Sequence, residues 1–417
     1  MENPAQQSLL TLAYWSIRRR KFEFVASTIL VPALLLGMFW WPLKANGLGT
    51  SADFIEFYGT GLIIRQGNSS HIYEYRYQKS AQGLFTPNAV PLVFNHPPFE
   101  AIPFAILCRL TYPVAFLVWT FINLSIIGLI CFALRSYGGD LDLPARLMLL
   151  GCGLYPALAT ILQGQDSFFL LLGYAFAFLC LKGQSDFLAG IAISIALIKP
   201  QLVMPFVFVL LLKQKYRFVM GFLTGAALLA ISSLWLISLT GILSYLQMVL
   251  LMGGISGGEA FHMYPGCMPN LRGILWILST VNTPRIVIGV LTLLFSATLF
   301  VHTMRRTDNL SNPEQTDFDR DFSSIVIMTL LISYHLLLHD FSLFILPAFL
   351  LLLQAGSGSL KLINIGMMGI FLTESLLSIA GYRWYSLLVP WILVVILNIP
   401  CGCVLVPVHL DSKSLRS

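Results

Sequence analysis

Charge is what this sequence has least of. Only 11% of its 417 residues are Asp, Glu, Lys or Arg, where a soluble domain carries about 25%. That shortage excludes an ordinary water-soluble globule. Disulfide-ready cysteines are also few. Of the seven, Cys131, Cys152, Cys180, Cys401 and Cys403 lie in apolar segments, Cys108 is near a helix end, and Cys267 alone lies clearly in a loop, so no disulfide framework is expected. No Walker sequence, dinucleotide-type glycine loop or G-x-S-x-G elbow is found. The glycine-rich GGISGGE (Gly253 to Glu259) follows no strand and reads as a flexible external loop, with the make-up of a lid. Internal repeats and low-complexity stretches are missing as well, so 1–417 reads as a single domain. The net charge of +6 is scattered over loops rather than massed on one face, which argues against a nucleic-acid partner.

What is present is apolar sequence, 57% of the chain, in blocks. Many have roughly the 17–25 residues that cross a bilayer as a helix. The chain is therefore expected to be an all-α polytopic membrane protein with about 10–12 transmembrane helices. Arg18 to Lys21 precede the apolar run 22–43, which is too long for a signal-peptide core and has no A-x-A site after it. Placing those basic residues in the cytoplasm gives helices at about 22–43, 112–134, 143–162, 167–181, 186–198, 201–212, 218–240, 284–304, 322–338, 341–354, 361–379 and 385–406. An amphipathic piece at about 99–110 precedes the second helix. Both termini are then cytoplasmic, with 16 of the 25 Lys and Arg residues inside, the bias that the positive-inside rule demands. The segments 186–198, 201–212 and 341–354 are short for full crossings and could instead tilt or dip into the protein interior.

On this topology the unusual polar residues fall on one face. Asp53 and Glu56 follow the first helix in DFIEFYGTG. His96 stands in FNHPPF, Gln163, Gln165 and Asp166 in the turn QGQD, and Lys199 and Gln201 in the turn KPQ. Glu259, His262 and Arg272 lie in the loop after the seventh helix, and His335, His339 and Asp340 in YHLLLHDF. All are external. Ionisable residues at membrane depth are expensive to bury and tend to line a site or a pathway, so six segments delivering them to one boundary suggest one cavity beside the lipid. Each member has a plainer explanation. Asp53 could cap a helix, Lys199 before Pro200 could be a snorkelling helix end, QGQD could be only a tight turn, and His96 with its two prolines could only shape a loop.

His335 and His339 would share a face if they lay on one helix. Leu336 stands where a zinc protease motif has its glutamate, and no other His or Cys cluster has metal spacing. No metal is therefore assigned from the sequence, although a divalent ion is not excluded. A role in proton handling or in hydrogen bonding to a phosphate is the preferred reading of the pair.

The segments DFIEFYGTGLIIRQGNSSHIYEY (53–75), FNHPPFEAIPFAIL (94–107), QGQDSFFLLL (163–172), LAGIAISIALIKPQLVMP (188–205) and SYHLLLHDFSLFILP (333–347) occur in this order. Together they resemble glycosyltransferase family 87, over a core of about 50–350 that leaves the helices at about 361–406 beyond it. The resemblance implies a GT-C-type multispanning helical bundle whose external loops carry the active site. It implies a membrane transferase, mannosyltransferase-like, that inverts while moving a sugar from a polyprenyl-phosphate donor to a lipid or glycan acceptor on the external face of the plasma membrane. By position Asp53 matches the family's catalytic base, with His335 and His339 beside it. Lys199 is the matching contact for the donor phosphate, and Glu56, Tyr58, His96, Gln163, Gln165, Asp166, Gln201, Arg272 and Asp340 are substrate-binding candidates. A base must come within about 3 Å of the acceptor hydroxyl. The competing readings are a transporter or flippase of a lipid-linked saccharide, which would carry charges along a path to both sides, and a noncatalytic membrane subunit, which would tolerate loss of Asp53.

Overall fold

The structure is a computed structural model. It describes residues 53–86, 91–137, 156–252, 265–280, 282–307, 317–353, 361–380 and 385–399. The expected first helix, most of the third, the GGISGGE loop, Glu259 and His262 lie outside these residues. Among the described residues every regular element is a helix, as the blocks of apolar sequence require.

Among the described residues three helices are long and apolar enough to cross a membrane, Tyr112–Ala133, Tyr216–Leu250 and Arg285–Arg306. They turn Leu117, Phe121, Leu129, Leu293, Leu294 and Phe295 outward, an apolar surface that lipid covers and water would not tolerate. Shorter apolar helices pack inside them, including Ser167–Lys182, Asp186–Ile198, Pro200–Leu212 and His339–Leu353.

Local sequence sets the breaks that matter for the site. The helix Asp186–Ser194 tightens into the 3-10 turn Ile195–Ile198 and stops at Lys199, whose backbone is extended at φ −127° and ψ 75°. Pro200 is the cause, because its ring forbids a helical conformation in the residue before it. The lysine is thereby carried on a bend rather than on a helix face. Helix Tyr216–Met252 packs closely along Asp186–Ser194. A Cβ on Gly190 would come within 2.0 Å of the Phe218 carbonyl oxygen, and one on Gly221 within 2.0 Å of that of Phe187. These small residues let two backbones touch, the usual device of membrane helices.

Several boundaries differ from those expected. The segment after the first helix holds the helices Phe54–Arg65 and Tyr75–Gly83. The seventh helix breaks close to its expected end near 240, at Ser238, which alone has non-helical angles, and a further helical stretch continues from there to Met252. Beyond the kink its apolar face still has something to bury against, since Tyr245 lies 5.2 Å from the Tyr73 ring. Helix Phe318–Ile332 ends six residues before 338, and 333–338 is irregular. His335 and His339 therefore do not lie on one helical face. His335 is in the irregular segment, and His339 opens the 3-10 turn His339–Phe344.

The core has two parts. One joins Phe168, Tyr174, Phe206, Phe322 and Leu343 from the short inner helices. The other is the aromatic cluster Phe54, Phe57, Tyr58, Phe94, Phe104, Tyr112 and Trp119, from the segment 53–107 and helix Tyr112–Ala133. The polar residues connect the two.

Candidate functional site

Asp53 immediately precedes helix Phe54–Arg65, yet its side chain makes no capping hydrogen bond. The plain N-cap explanation therefore fails. Instead Gln165 Nε2 donates to Asp53 Oδ2 at 2.8 Å. Gln165 is fixed by its own turn. Trp119 Nε1 donates to the Gly164 carbonyl at 2.8 Å, and Asn123 Nδ2 to the Gln165 carbonyl at 3.2 Å. Gly164 has φ +69°, and a Cβ there would lie 2.6 Å from Phe54 Cβ, so only glycine fits this turn. Asp53 is partly exposed and its carboxylate is presented by protein rather than spent on a helix end.

Behind it lies a buried ionic network. Glu56 Oε1 is 3.3 Å from His96 Nε2. On the other side of the ring, His96 Nδ1 is 3.0 Å from Glu100 Oε2 and 3.5 Å from Asp166 Oδ2. The Lys199 ammonium then joins Asp166 Oδ1 at 3.2 Å to Asp340 Oδ1 at 3.1 Å. Ser167 Oγ donates to the same Asp340 oxygen at 2.9 Å. His339 Nδ1 pairs with Gln163 Oε1 at 3.0 Å, while its Nε2 has no hydrogen-bond partner and lies 3.5 Å from Asp340 Oδ1. Glu56, His96, Glu100, Asp166, Lys199, His339 and Asp340 are all buried. Charges taken this far from water persist only when paired.

The titration behaviour follows the pairing. Burial pulls the His96 imidazole down, but the charge of Glu100 and hydrogen bonds to Asp166, Glu100 and Glu56 outweigh it and hold it well above its ordinary range. Burial pushes Asp166 up, but Lys199 and His96 prevail and hold it well below. Burial likewise opposes the Lys199 ammonium, and Asp166 and Asp340 keep it charged. His335 has no such support. Burial lowers it to about 4, despite the charge of Asp340, so it is a neutral imidazole at physiological pH.

The other expected site residues lie at the edge or away from it. Gln163, His335, Gln201 and Arg272 are partly exposed. Gln201 is in the 3-10 turn directly after Lys199. The Arg272 guanidinium lies over the Tyr334 ring at 4.0 Å and donates to the Tyr334 carbonyl, next to His335. Tyr58 is elsewhere. It is buried against Phe54, Phe85 and Tyr112, and its hydroxyl donates to the Leu110 carbonyl, so its ring face is not offered to a ligand. Tyr73, in the same segment, spends its hydroxyl on the His96 carbonyl.

Two participants escaped the sequence reading. Glu100 lies four residues after His96, across two prolines, and a carboxylate in so apolar a segment was the available signal. Asn123, a lone amide inside a membrane helix, was the other. No metal was assigned from spacing, yet His96, Glu100 and Asp166 bring potential ligand atoms within 4.8 Å of one another.

A partly exposed carboxylate, held by an amide and backed by a rigid charge network at the ends of membrane helices, is suited to deprotonating a hydroxyl at a membrane boundary. Comparison with known proteins agrees in class. No curated protein and no solved structure matches the chain. A sequence model described as Glycosyltransferase family 87 matches residues 94–333, more than half of the 417. The matched region contains His96, Gln163, Gln165, Asp166, Lys199, Gln201 and Arg272, whereas Asp53, Glu56 and Tyr58 precede it and His335, His339 and Asp340 follow it. The chain belongs to glycosyltransferase family 87, and is a membrane glycosyltransferase.

Proposed function

We propose that the protein transfers a sugar, mannose in the first instance, from a polyprenyl-phosphate donor to a lipid or glycan acceptor, with inversion, at the external face of the plasma membrane. Asp53 is the general base. The observation that carries this reading is its geometry: an accessible carboxylate, free of its helix N-terminus and oriented by Gln165 at 2.8 Å. In the reaction Asp53 takes the proton of the acceptor hydroxyl, the oxygen attacks the anomeric carbon from the face opposite the donor phosphate, and the polyprenyl phosphate leaves as an anion. A phosphodiester-type leaving group needs little acid assistance, so no proton donor is required on that side.

Lys199, expected to hold the donor phosphate, is buried between two carboxylates and acts from there as a strut that fixes Asp166 and Asp340. The phosphate contact passes to Arg272, which is partly exposed and pre-oriented on Tyr334, with neutral His335 beside it as a hydrogen-bond partner. An arginine fork suits a phosphate oxygen pair. A transporter reading is disfavoured by the helix interiors, since 168–181 and 345–353 carry no charge and offer no polar path away from the site.

Donor and stereochemistry are tested together in proteoliposomes. The purified chain is given polyprenyl-phosphate mannose or a nucleotide sugar, and the anomeric configuration of the product is read by NMR. Transfer from the lipid-linked donor with inversion is expected. Transfer from the nucleotide sugar alone, or with retention, refutes the reading.

A further inference from the structure

Four carboxylates, those of Glu56, Glu100, Asp166 and Asp340, gather with Lys199 and His96 in the buried network, and carboxylates taken out of water need cationic partners, of which a divalent ion is one.

The geometry shows where such an ion would go. His96 Nδ1 faces Glu100 Oε2 at 3.0 Å and Asp166 Oδ2 at 3.5 Å. Ligands held about 2.1 Å from a first-row metal ion are about 3.0 Å apart along an octahedral edge and about 3.4 Å along a tetrahedral one. The two separations from His96 lie close to these values and all three ligand atoms lie within 4.8 Å of one another, close enough to share one ion, which would take the place of the Nδ1 proton. Two further observations point to a ligand. Glu100 Oε1 is buried and lacks a hydrogen-bond partner, in a residue only 6% exposed. The far nitrogen of the same imidazole, Nε2, meets the Glu56 carboxylate at 3.3 Å. A histidine with metal on one nitrogen and a carboxylate on the other is the usual way a protein orients a metal-binding imidazole.

We propose that His96, Glu100 and Asp166 form a divalent-cation site, with Glu56 as the outer carboxylate that orients His96. One nitrogen and two carboxylates suit Mn²⁺ or Zn²⁺ better than Mg²⁺ or Ca²⁺, which prefer oxygen alone. The ion ties the Phe94–Glu100 segment to the QGQD turn, and so to Gln165, which holds Asp53. Its role is to position this turn, independently of which sugar donor the protein uses.

The test is metal binding rather than activity. Full-length protein in nanodiscs is stripped with chelator and dialysed against Mn²⁺, and bound metal is measured by mass spectrometry and by the Mn²⁺ electron-spin resonance signal. One immobilised Mn²⁺ per chain is expected. Glu100→Gln and His96→Gln should each weaken binding by at least 100-fold. If these variants fail to fold, Glu56→Gln decides, because loss of an outer partner weakens a metal site about 10–100-fold. Retention of no stoichiometric ion by wild type overturns the proposal, as does an affinity that Glu56→Gln and the ligand variants leave unchanged, which would place the ion elsewhere.

Discussion

Lys199 gives the sharpest handle on the buried network. Its ammonium lies 3.2 Å from Asp166 and 3.1 Å from Asp340, both almost fully buried. Lys199→Met keeps the length and apolar stem of the side chain but removes the charge. Breaking a buried pair from one side costs about 3–5 kcal/mol, because the partner stays behind uncompensated. Asp166 retains His96 and Asp340 retains the Ser167 hydroxyl, so the lower end, about 3 kcal/mol, is expected. That is a shift of roughly 100-fold in the folding equilibrium. The assay is unfolding of the purified protein in detergent, followed by tryptophan fluorescence, for Lys199→Met, Asp340→Asn and the double variant. The double variant should be less damaged than the sum of the two single ones, because removing Asp340's charge relieves the surplus that the methionine creates. A loss below about 1 kcal/mol, with additive effects, would mean that the ammonium is solvated and would refute the sealed network.

Other expectations follow from neighbouring residues. Gln165→Ala removes the hydrogen bond to Asp53 and should lower kcat by about 10–100-fold, the worth of one hydrogen bond to a charged group, while KM and the unfolding midpoint barely move; an unchanged kcat would show that Asp53 needs no holder. Gly164→Ala forces a side chain into a left-handed backbone against Phe54 and should destabilise by about 2–4 kcal/mol, measured in the same unfolding assay. Arg272→Lys, which keeps the charge but loses the planar fork over Tyr334, should raise KM for the donor several-fold and leave the unfolding midpoint in place. His335 is depressed in the folded protein to about 4, below the unfolded value of about 6.5. The stability carried by its neutral form is therefore complete above about pH 6.5 and lost as pH falls towards 4; His335→Gln should flatten stability against pH in that window and nowhere above it.

The sequence showed which polar residues meet better than it showed where the helices that hold them begin and end. Asp53, His96, Gln163, Gln165, Asp166, Lys199, His339 and Asp340 stand out because a polar residue in apolar sequence needs a partner, and the partners were one another. The bend at Lys199 was readable from Pro200. The break after Ile332 was not, because 333–338 contains no proline or glycine, and leucines at 336–338 suit a helix by propensity. What ends that helix is tertiary: Asn270 donates to the Ser333 carbonyl and Asp340 accepts from the Leu337 amide, and both partners are remote from or beyond the helix end. Helix Tyr216–Met252 breaks at Ser238, close to the end expected near 240, and the stretch beyond it, which bilayer thickness does not foretell, packs on protein at Tyr73. Tyr58 was misplaced for the opposite reason. An aromatic beside Asp53 invites a sugar-stacking role, but helix periodicity turns it into the Phe54 and Tyr112 cluster. Glu100 is half-hidden by the prolines that separate it from His96, and its pairing depends on a tight turn whose geometry no spacing rule covers.

The central claim is that Asp53 removes the acceptor proton. The direct measurement is the single-turnover transfer rate from polyprenyl-phosphate mannose in proteoliposomes for wild type and Asp53→Asn, with the unfolding midpoint of both. The amide keeps the size and can still pair with Gln165, so folding should be unaffected, while the rate should fall by at least the 10²–10⁴-fold that a general base contributes. A folded Asp53→Asn protein that transfers sugar at the wild-type rate would contradict the account.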